Sequence, residues 1–223
     1  MIRLYRALRW RIGAVVWKIV RWIDPSFGIK KGRNCKISRK ARFEGRLENI
    51  ELGDSVTIRE FAFLQCGNRK GHVRVGDNSY IGVFAQLITA KTGAIDVGSN
   101  CSIQDFSMVL GNGGIRIGDD TRIAAHTLLL SADHAFDDEN ALLRLQGRKA
   151  APIEIAHNVW IAAGVRITSG VTIGTGSVVA TGAVVTKSFA ENSLVAGVPA
   201  RLLRKRVADA DSPEAAVHPL RTE

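Results

Sequence analysis

From Ile155 onward the apolar positions recur every six residues: Ile155, Ile161, Ile167, Ile173, Val179 and Val185. Four residues after each of the first five stands Val159, Val165, Val171, Ser177 or Ala183, all small or β-branched. An amphipathic helix repeats near 3.6 residues and a half-buried strand at 2, so neither produces this spacing. A short strand and a corner, repeated, does produce it, and that is the mark of a parallel β-helix. The same spacing runs through Leu52, Ile58, Leu64; Val75, Ile81, Leu87; Val97, Ile103, Val109; and Ile117, Ile123, Leu129. A fainter start lies at Ile37 and Phe43, with Cys35 and Ala41 at the small positions.

The breaks in the period carry as much information as the period. Three hexads make one triangular coil of about 18 residues. Every extra residue falls after the third hexad of a coil begins: between 64 and 75, 87 and 97, 109 and 117, and 129 and 155. All insertions are therefore expected at one corner of the prism. The longest, 131–151, reads SADHAFDDENALLRLQGRKAA and holds most of the polar chemistry of the chain. The pattern predicts an all-β solenoid over 30–198. Beyond it, Pro199 is placed to open a short C-terminal helix, and the rest of 199–223 reads as a disordered tail from 208 onward.

Residues 1–24 differ from the solenoid. Leu4, Tyr5, Leu8, Ile12, Val15, Val16, Ile19 and Ile23 share one face of a helix predicted over 2–23. Arg3, Arg6, Arg9, Arg11, Lys18 and Arg21 lie broadly opposite, and Asp24-Pro25 ends the helix. A basic face with flanking Trp10 and Trp17 suits the surface of an anionic membrane. Packing of the apolar face on the domain or on a neighbouring subunit is the competing reading.

Charge and composition sharpen the division. The net charge is +10, from 31 basic and 21 acidic residues. Residues 1–46 hold 14 of the basic and two of the acidic residues, so the remainder is slightly acidic. This argues for a basic arm on a near-neutral body and against a nucleic-acid-binding body. Aromatic residues make up only 6%, as expected of a thin aliphatic core. Three cysteines without a CxxC signal neither a disulfide framework nor a thiolate zinc site, and a reducing cytoplasm fits them. No apolar run reaches the ~20 residues of a membrane span. A peripheral position at the inner face of the membrane is the expected alternative to a free cytoplasmic one.

The stretch VWIAAGVRITSGVTIGTGSVVATGAVVTKSFAENSLVAGVPARLLRKR resembles the C-terminal half of the hexapeptide-repeat acyltransferases. Within them it is similar to the sugar O-acetyltransferases, including galactoside and maltose acetyltransferases and enzymes of bacterial exopolysaccharide synthesis. The resemblance covers about residues 30–206. It implies a left-handed parallel β-helix, a homotrimer, and acetyl-CoA bound between two subunits, with no metal.

On that resemblance His134, in SADHAF, matches the loop histidine that takes the proton from the acceptor hydroxyl. An imidazole suits the task because its proton comes and goes near neutral pH. Asp133, Asp137 or a backbone carbonyl is available to orient it. Trp160 matches the wall near the thioester, and Ala163 the small residue at the pantetheine arm. The backbone N–H of Ala162 or Ala163 would polarise the acetyl carbonyl. Thr181, Thr186 and Lys187 match contacts along the arm and pyrophosphate, and Arg201 and Arg204 those facing the nucleotide phosphate. Gln104, Asp105 and Asn112 stand where polar residues hold the acceptor sugar, although Gln104 replaces an Asn of the galactoside-type enzymes.

The bland readings are explicit. His134 is an exposed loop histidine, Thr186 and Lys187 a polar turn, and Arg201, Arg204, Lys205 and Arg206 a solvated helix face. His126 and His157 read as turn residues and His72 as a surface loop residue. The expected reaction is O-acetylation of a sugar or lipid-linked sugar. The alternatives are N-acetylation of an amino sugar or amino acid, a zinc-dependent hydratase of related fold, and a non-catalytic scaffold. The zinc reading lacks the HxxxxH pair found in that hydratase family.

Overall fold

The computed structural model of the protein describes residues 24–67, 70–89 and 93–206. The predicted helix of 2–23 and the predicted tail of 208–223 lie outside the described residues. The rest is a parallel β-helix whose coils are stacked rung on rung. Among the described residues three sheets, A, B and C, form a triangular prism, with seven strands in A, nine in B and seven in C. Each coil contributes one short strand to each sheet in turn. One coil, for example, runs through Ile95–Val97 in sheet A, Ser102–Ile103 in sheet B and Met108–Leu110 in sheet C.

The hexad positions are the rungs. Ile103 pairs in register with Ile81 below and Ile123 above, and Val109 with Leu87 and Leu129. All eighteen Ile, Leu and Val positions of the period are buried. Like residues stack on like, so each side chain fills the space left by its neighbours one coil away. The small positions point inward at corners. Where they are polar they are paired: Ser79 Oγ donates to Gly98 O at 2.9 Å, Ser107 Oγ to Ala124 O at 3.0 Å and Thr121 Oγ1 to Ala156 O at 3.1 Å. A buried hydroxyl without such a partner would cost free energy that this thin core cannot spare. Cys101 occupies the same kind of position, its Sγ 3.2 Å from Gly118 O, and burial pushes its thiol pKa up.

The corners turn through left-handed backbone. Between sheets A and B these residues are Asn34, Ser55, Asn78, Asn100, Asp120 and Asn158, each with φ between 54° and 59°. Side-chain carboxylates tie successive A/B corners together: Asp54 Oδ1 accepts from Arg33 N, Asp77 Oδ1 from Asp54 N and Asp119 Oδ1 from Ser99 N, all at 2.7 Å.

The insertions leave the C/A corner, as the breaks in period require. The longest begins after Leu128–Leu130 and ends before Ile153–Ile155. Its two ends, Ala132–His134 and Arg148–Ala150, pair as an antiparallel ribbon. The far end departs from expectation. Among the described residues after Pro199 there is no helix; Arg201–Lys205 is a strand, antiparallel to Ser193–Ala196 at the edge of sheet B. The last coil exposes a row of unpaired backbone groups, and the returning chain satisfies them. Among the described residues no helix is long and apolar enough to cross a membrane.

Candidate active site

The prism sorts the site residues into two groups. His134 and Asn112 stand on the C/A insertions, and Thr186 and Lys187 follow the sheet C strand Val184–Val185 at the same corner. Trp160 points outward from face B, and Arg201 and Arg204 lie on the edge strand of that sheet. Ala162, Ala163, Thr181, Gln104 and Asp105 occupy the turns between sheets B and C. In a triangular section the C/A corner lies across the prism from face B. Within one copy Trp160, Arg201 and Arg204 are therefore separated from the C/A corner by the aliphatic core, and the B/C turns stand at the other end of face C.

His134 is held by backbone rather than by its ring. It pairs with Arg148 across the ribbon, and its exposed imidazole makes no hydrogen bond among the described residues. Neither expected orienting carboxylate serves it. Asp133 Oδ2 accepts from Ser169 Oγ at 3.3 Å, and Asp137 forms a short ion pair with Lys149. The Asp133 contact fastens the root of the excursion to the next coil, and the Lys149 contact ties its two strands.

The other group lies along face B and at its edge with face C. Trp160 is 53% exposed on face B. Beyond it the B/C turns carry Gly164 (φ 71°) and Gly182 (φ 70°). A Cβ on Gly182 would meet nothing within 4 Å, and one on Gly164 would only graze Gly182. This open edge leaves room for an elongated ligand to pass close to backbone. Ala162 N donates to Val179 O at 2.9 Å, which removes it as a donor to substrate. Ala163 N has no acceptor among the described residues, so it is the free amide at this edge. One coil series away, Val83 N at the matching position donates to Asp105 Oδ1 at 2.8 Å. Asp105 is thus committed through one oxygen to the corner.

Arg201 and Arg204 have no carboxylate partner among the described residues. Their guanidinium groups touch only backbone carbonyls, Arg201 on Ala200 O at 3.0 Å and Arg204 on Lys205 O at 3.2 Å. Two unpaired guanidinium groups on one exposed strand suit a phosphate. Lys187 lies 5.8 Å over the Phe189 ring. Gln104 borders a shallow groove of about 550 Å³ on face B, with Asn78, Tyr80, Asn100, Ser102 and Arg122; its hydroxyl and amide lining is of the kind that holds a sugar.

The remaining histidines are accounted for locally. His157 Nδ1 lies 3.4 Å from Thr175 Oγ1 at an A/B corner, and His72 Nε2 is 2.8 Å from Asp96 Oδ1. His126 sits at a B/C turn, stacked parallel on Phe106 with ring centroids 5.1 Å apart. Among the described residues no three His, Cys, Asp or Glu side chains come together as a metal site.

Residues 152–187 match the family described as bacterial transferase hexapeptide (six repeats). The putative lipopolysaccharide biosynthesis O-acetyl transferase WbbJ of Escherichia coli K12 is 28% identical over 142 residues, covering 60% of this chain and 72% of that protein. Among solved structures, the polySia-specific acetyltransferase NeuO is 25% identical, with a TM-score of 0.61 over 85% of this chain and 80% of its own. The N-acyltransferase AntD from Bacillus cereus, in complex with dTDP and 3-hydroxybutyryl-CoA, has a TM-score of 0.57 at 23% identity, covering 82% of this chain and 86% of its own, and shares the fold. The repeat matched at 152–187 is the same three-strand coil that the rest of the described prism stacks, so the chain is similar to the bacterial transferase hexapeptide family in that segment.

Proposed function

We propose that the chain is an acetyl-CoA-dependent O-acetyltransferase acting on a sugar hydroxyl, working as a homotrimer with each site shared between two copies. The observation that carries this reading is the split of the site: the excursion histidine stands at the C/A corner, while the free Ala163 amide and the open glycine edge stand at the B/C corner, at the other end of face C. In the proposed reaction His134 of one copy takes the proton of the acceptor hydroxyl as its oxygen attacks the thioester carbonyl of acetyl-CoA lying on the next copy. The Ala163 N–H donates to the carbonyl oxygen as negative charge develops on it. The C–S bond then breaks, and the proton passes from His134 to the departing sulfur, releasing CoA and the acetyl ester. No covalent enzyme intermediate is needed; Cys101 is buried and Cys35 donates to Gly53 O at 3.1 Å.

Trp160 walls the thioester end, Thr181, Thr186 and Lys187 follow the arm, and Arg201 and Arg204 take the phosphates. Gln104 and Asn112 contact the acceptor, with Asp105 through its second oxygen. WbbJ's description as a lipopolysaccharide O-acetyl transferase supports a surface-polysaccharide sugar. A lipid-linked acceptor at the cytoplasmic membrane face would suit the basic residues 2–23. AntD, an N-acyltransferase solved with a dTDP-linked amino sugar, supports a second reading in which the nucleophile is an amine.

Thiol release from acetyl-CoA against a panel of sugars, nucleotide-linked amino sugars and serine tests both readings. Turnover with a hydroxyl-only sugar supports the first, and turnover confined to amino sugars the second. Absence of thiol release above hydrolysis, together with no thermal shift on adding acetyl-CoA, would remove the enzymatic reading.

A further inference from the structure

Charge is distributed unevenly along the axis of the prism. Outward from face A the charges alternate in register: Lys30, Glu51, Arg74, Asp96, Arg116 and Glu154. Ion pairs link Lys30 to Glu51 at 2.6 Å and Arg74 to Glu51 at 3.1 Å, a ladder suited to water. The first coil breaks this balance. Residues 25–46 hold eight Lys or Arg and one acidic residue, Glu44, whereas residues 47–223 hold 17 basic and 19 acidic.

Five of those eight cations are answered. Lys30 pairs with Glu51, Lys31 with Asp24, Arg33 with Asp54, Arg42 with Glu44 and Arg46 with Glu48. Lys36, Arg39 and Lys40 are exposed and have no carboxylate partner among the described residues. They stand together. Lys36 is on Lys36–Ile37, the first strand of sheet B, and Arg39 and Lys40 lie in the B/C turn that follows. Glu60, in the matching turn one coil up, is taken by Arg59 at 3.1 Å. Lys40 lies 5.4 Å over the Phe61 ring, which steadies the ammonium without neutralising it. Three like charges so close repel one another, and an anionic partner relieves that repulsion.

The coenzyme phosphates are not that partner. Arg201 and Arg204, proposed above for the nucleotide, lie on the last strand of sheet B and Lys36 on the first, eight strand spacings or about 38 Å apart. The chain outside the described residues points to lipid. Residues 1–23 carry six further cations with Trp10, Trp17 and aliphatic residues at helical spacing, the composition of a segment that lies in a bilayer interface. They join the prism at Asp24, which the first coil holds: Lys31 Nζ donates to Asp24 Oδ2 at 3.5 Å and to Ser26 Oγ at 2.6 Å. Phe27, 48% exposed, stands at the same end. Cations and apolar groups at one end of a molecule suit the boundary between headgroups and acyl chains, whereas a soluble polyanion answers only the cations.

We propose that the N-terminal end of the prism docks on an anionic lipid bilayer through Lys36, Arg39 and Lys40. This deepens the reading of a lipid-linked acceptor and rests on it for the use of the contact, not for the contact itself.

The test is co-sedimentation of the full chain with vesicles of phosphatidylglycerol and phosphatidylcholine, against vesicles of phosphatidylcholine alone. The wild type should bind the first and not the second. Lys36→Gln, Arg39→Gln and Lys40→Gln combined should weaken binding by about 100-fold, since each cation near an anionic surface contributes about fivefold. The three positions are exposed, so the β circular dichroism should be retained. Arg116→Gln, Arg144→Gln and Arg148→Gln combined remove the same charge elsewhere and should bind as the wild type does. Unchanged binding of the first triple variant would overturn the proposal and leave residues 1–23 as the whole anchor. Equal loss in both triple variants, or equal binding of the wild type to phosphatidylcholine alone, would also overturn it. A wild type that ignores the vesicles and binds heparin through the same three cations would assign them to a soluble polyanion instead. Thiol release with a soluble sugar should be the same in the first triple variant as in the wild type. Turnover absent from both, with vesicle binding as expected, would remove the enzymatic reading and leave the docking surface; turnover intact without vesicle binding would do the reverse.

Discussion

His134 and Trp160 stand on opposite sides of one prism, the first on the C/A excursion and the second facing outward from sheet B. A site that uses both needs two copies. Two individually inactive variants should therefore complement each other. Co-expressed His134→Ala and Ala163→Trp chains, mixing at random in a closed ring, leave about one junction in four with both functional halves. About a quarter of wild-type turnover is expected from the mixture and almost none from either variant alone. If the mixed oligomer is as inactive as its parents, the site lies within one copy.

Replacing His134 with Ala should lower kcat by about 10²–10⁴, the usual contribution of a general base, and leave the KM for acetyl-CoA nearly unchanged. Steady-state thiol release by the purified, still oligomeric variant reads both constants. Because no hydrogen bond among the described residues orients the ring, Asp133→Asn and Asp137→Asn should change kcat much less than His134→Ala does. A drop at Asp133→Asn equal to that at His134→Ala would show that carboxylate to be an essential partner of the base.

Much of this was legible before the structure. The hexads gave away the rungs because a coil of fixed circumference forces one apolar position per strand, and each such position is buried. The breaks placed the insertions on one corner for the same reason. The segment after Pro199 was misread as a helix because its fate depends on something outside it: the open edge left by Ser193–Ala196. The stacked rings of Phe61, Phe84, Phe106 and His126 also leave a signal in the sequence, one outside the apolar six-residue period. Phe61, Phe84, Phe106 and His126 each stand three residues after a rung, at Ile58, Ile81, Ile103 and Ile123. The separation of His134 from Trp160 follows from assigning each to a corner, which family matching residue by residue does not do.

The guanidinium pair at the sheet B edge predicts a phosphate-dependent effect. Arg201→Ala with Arg204→Ala should raise the KM for acetyl-CoA by about 10–100-fold, as expected for the loss of charge-assisted hydrogen bonds. The same double variant should use acetyl-pantetheine as the wild type does, because that donor lacks the nucleotide. An equal loss with both donors would assign the two arginines to the strand rather than to the ligand.

The rungs make a stability prediction independent of function. Ile103 is fully buried in the middle of the stack, between Ile81 and Ile123. Ile103→Ala should cost about 2–5 kcal/mol, since neighbours in register above and below hold the cavity open. Thr57 points outward in the same sheet, and Thr57→Ala should stay within about 0.5 kcal/mol. Chemical denaturation of both variants, at equal protein concentration, measures the contrast.

Face A should give the fold an acid limb. The hydrogen bond from Lys30, with help from Arg74, holds the Glu51 carboxyl below its ordinary range against an opposing desolvation. A carboxyl depressed in the folded state stabilises the fold above its unfolded pKa, and that stabilisation is lost as pH falls through the folded value. The contribution is therefore present at neutral pH and disappears below about pH 4. Glu51 is partly exposed, so the effect is small and weakens with salt. In Glu51→Gln the melting temperature should be slightly lower at pH 7 and should fall less steeply than wild type between pH 5 and 3 at low ionic strength. Parallel melting curves for the two proteins over that range would show that the charge ladder contributes nothing to acid stability.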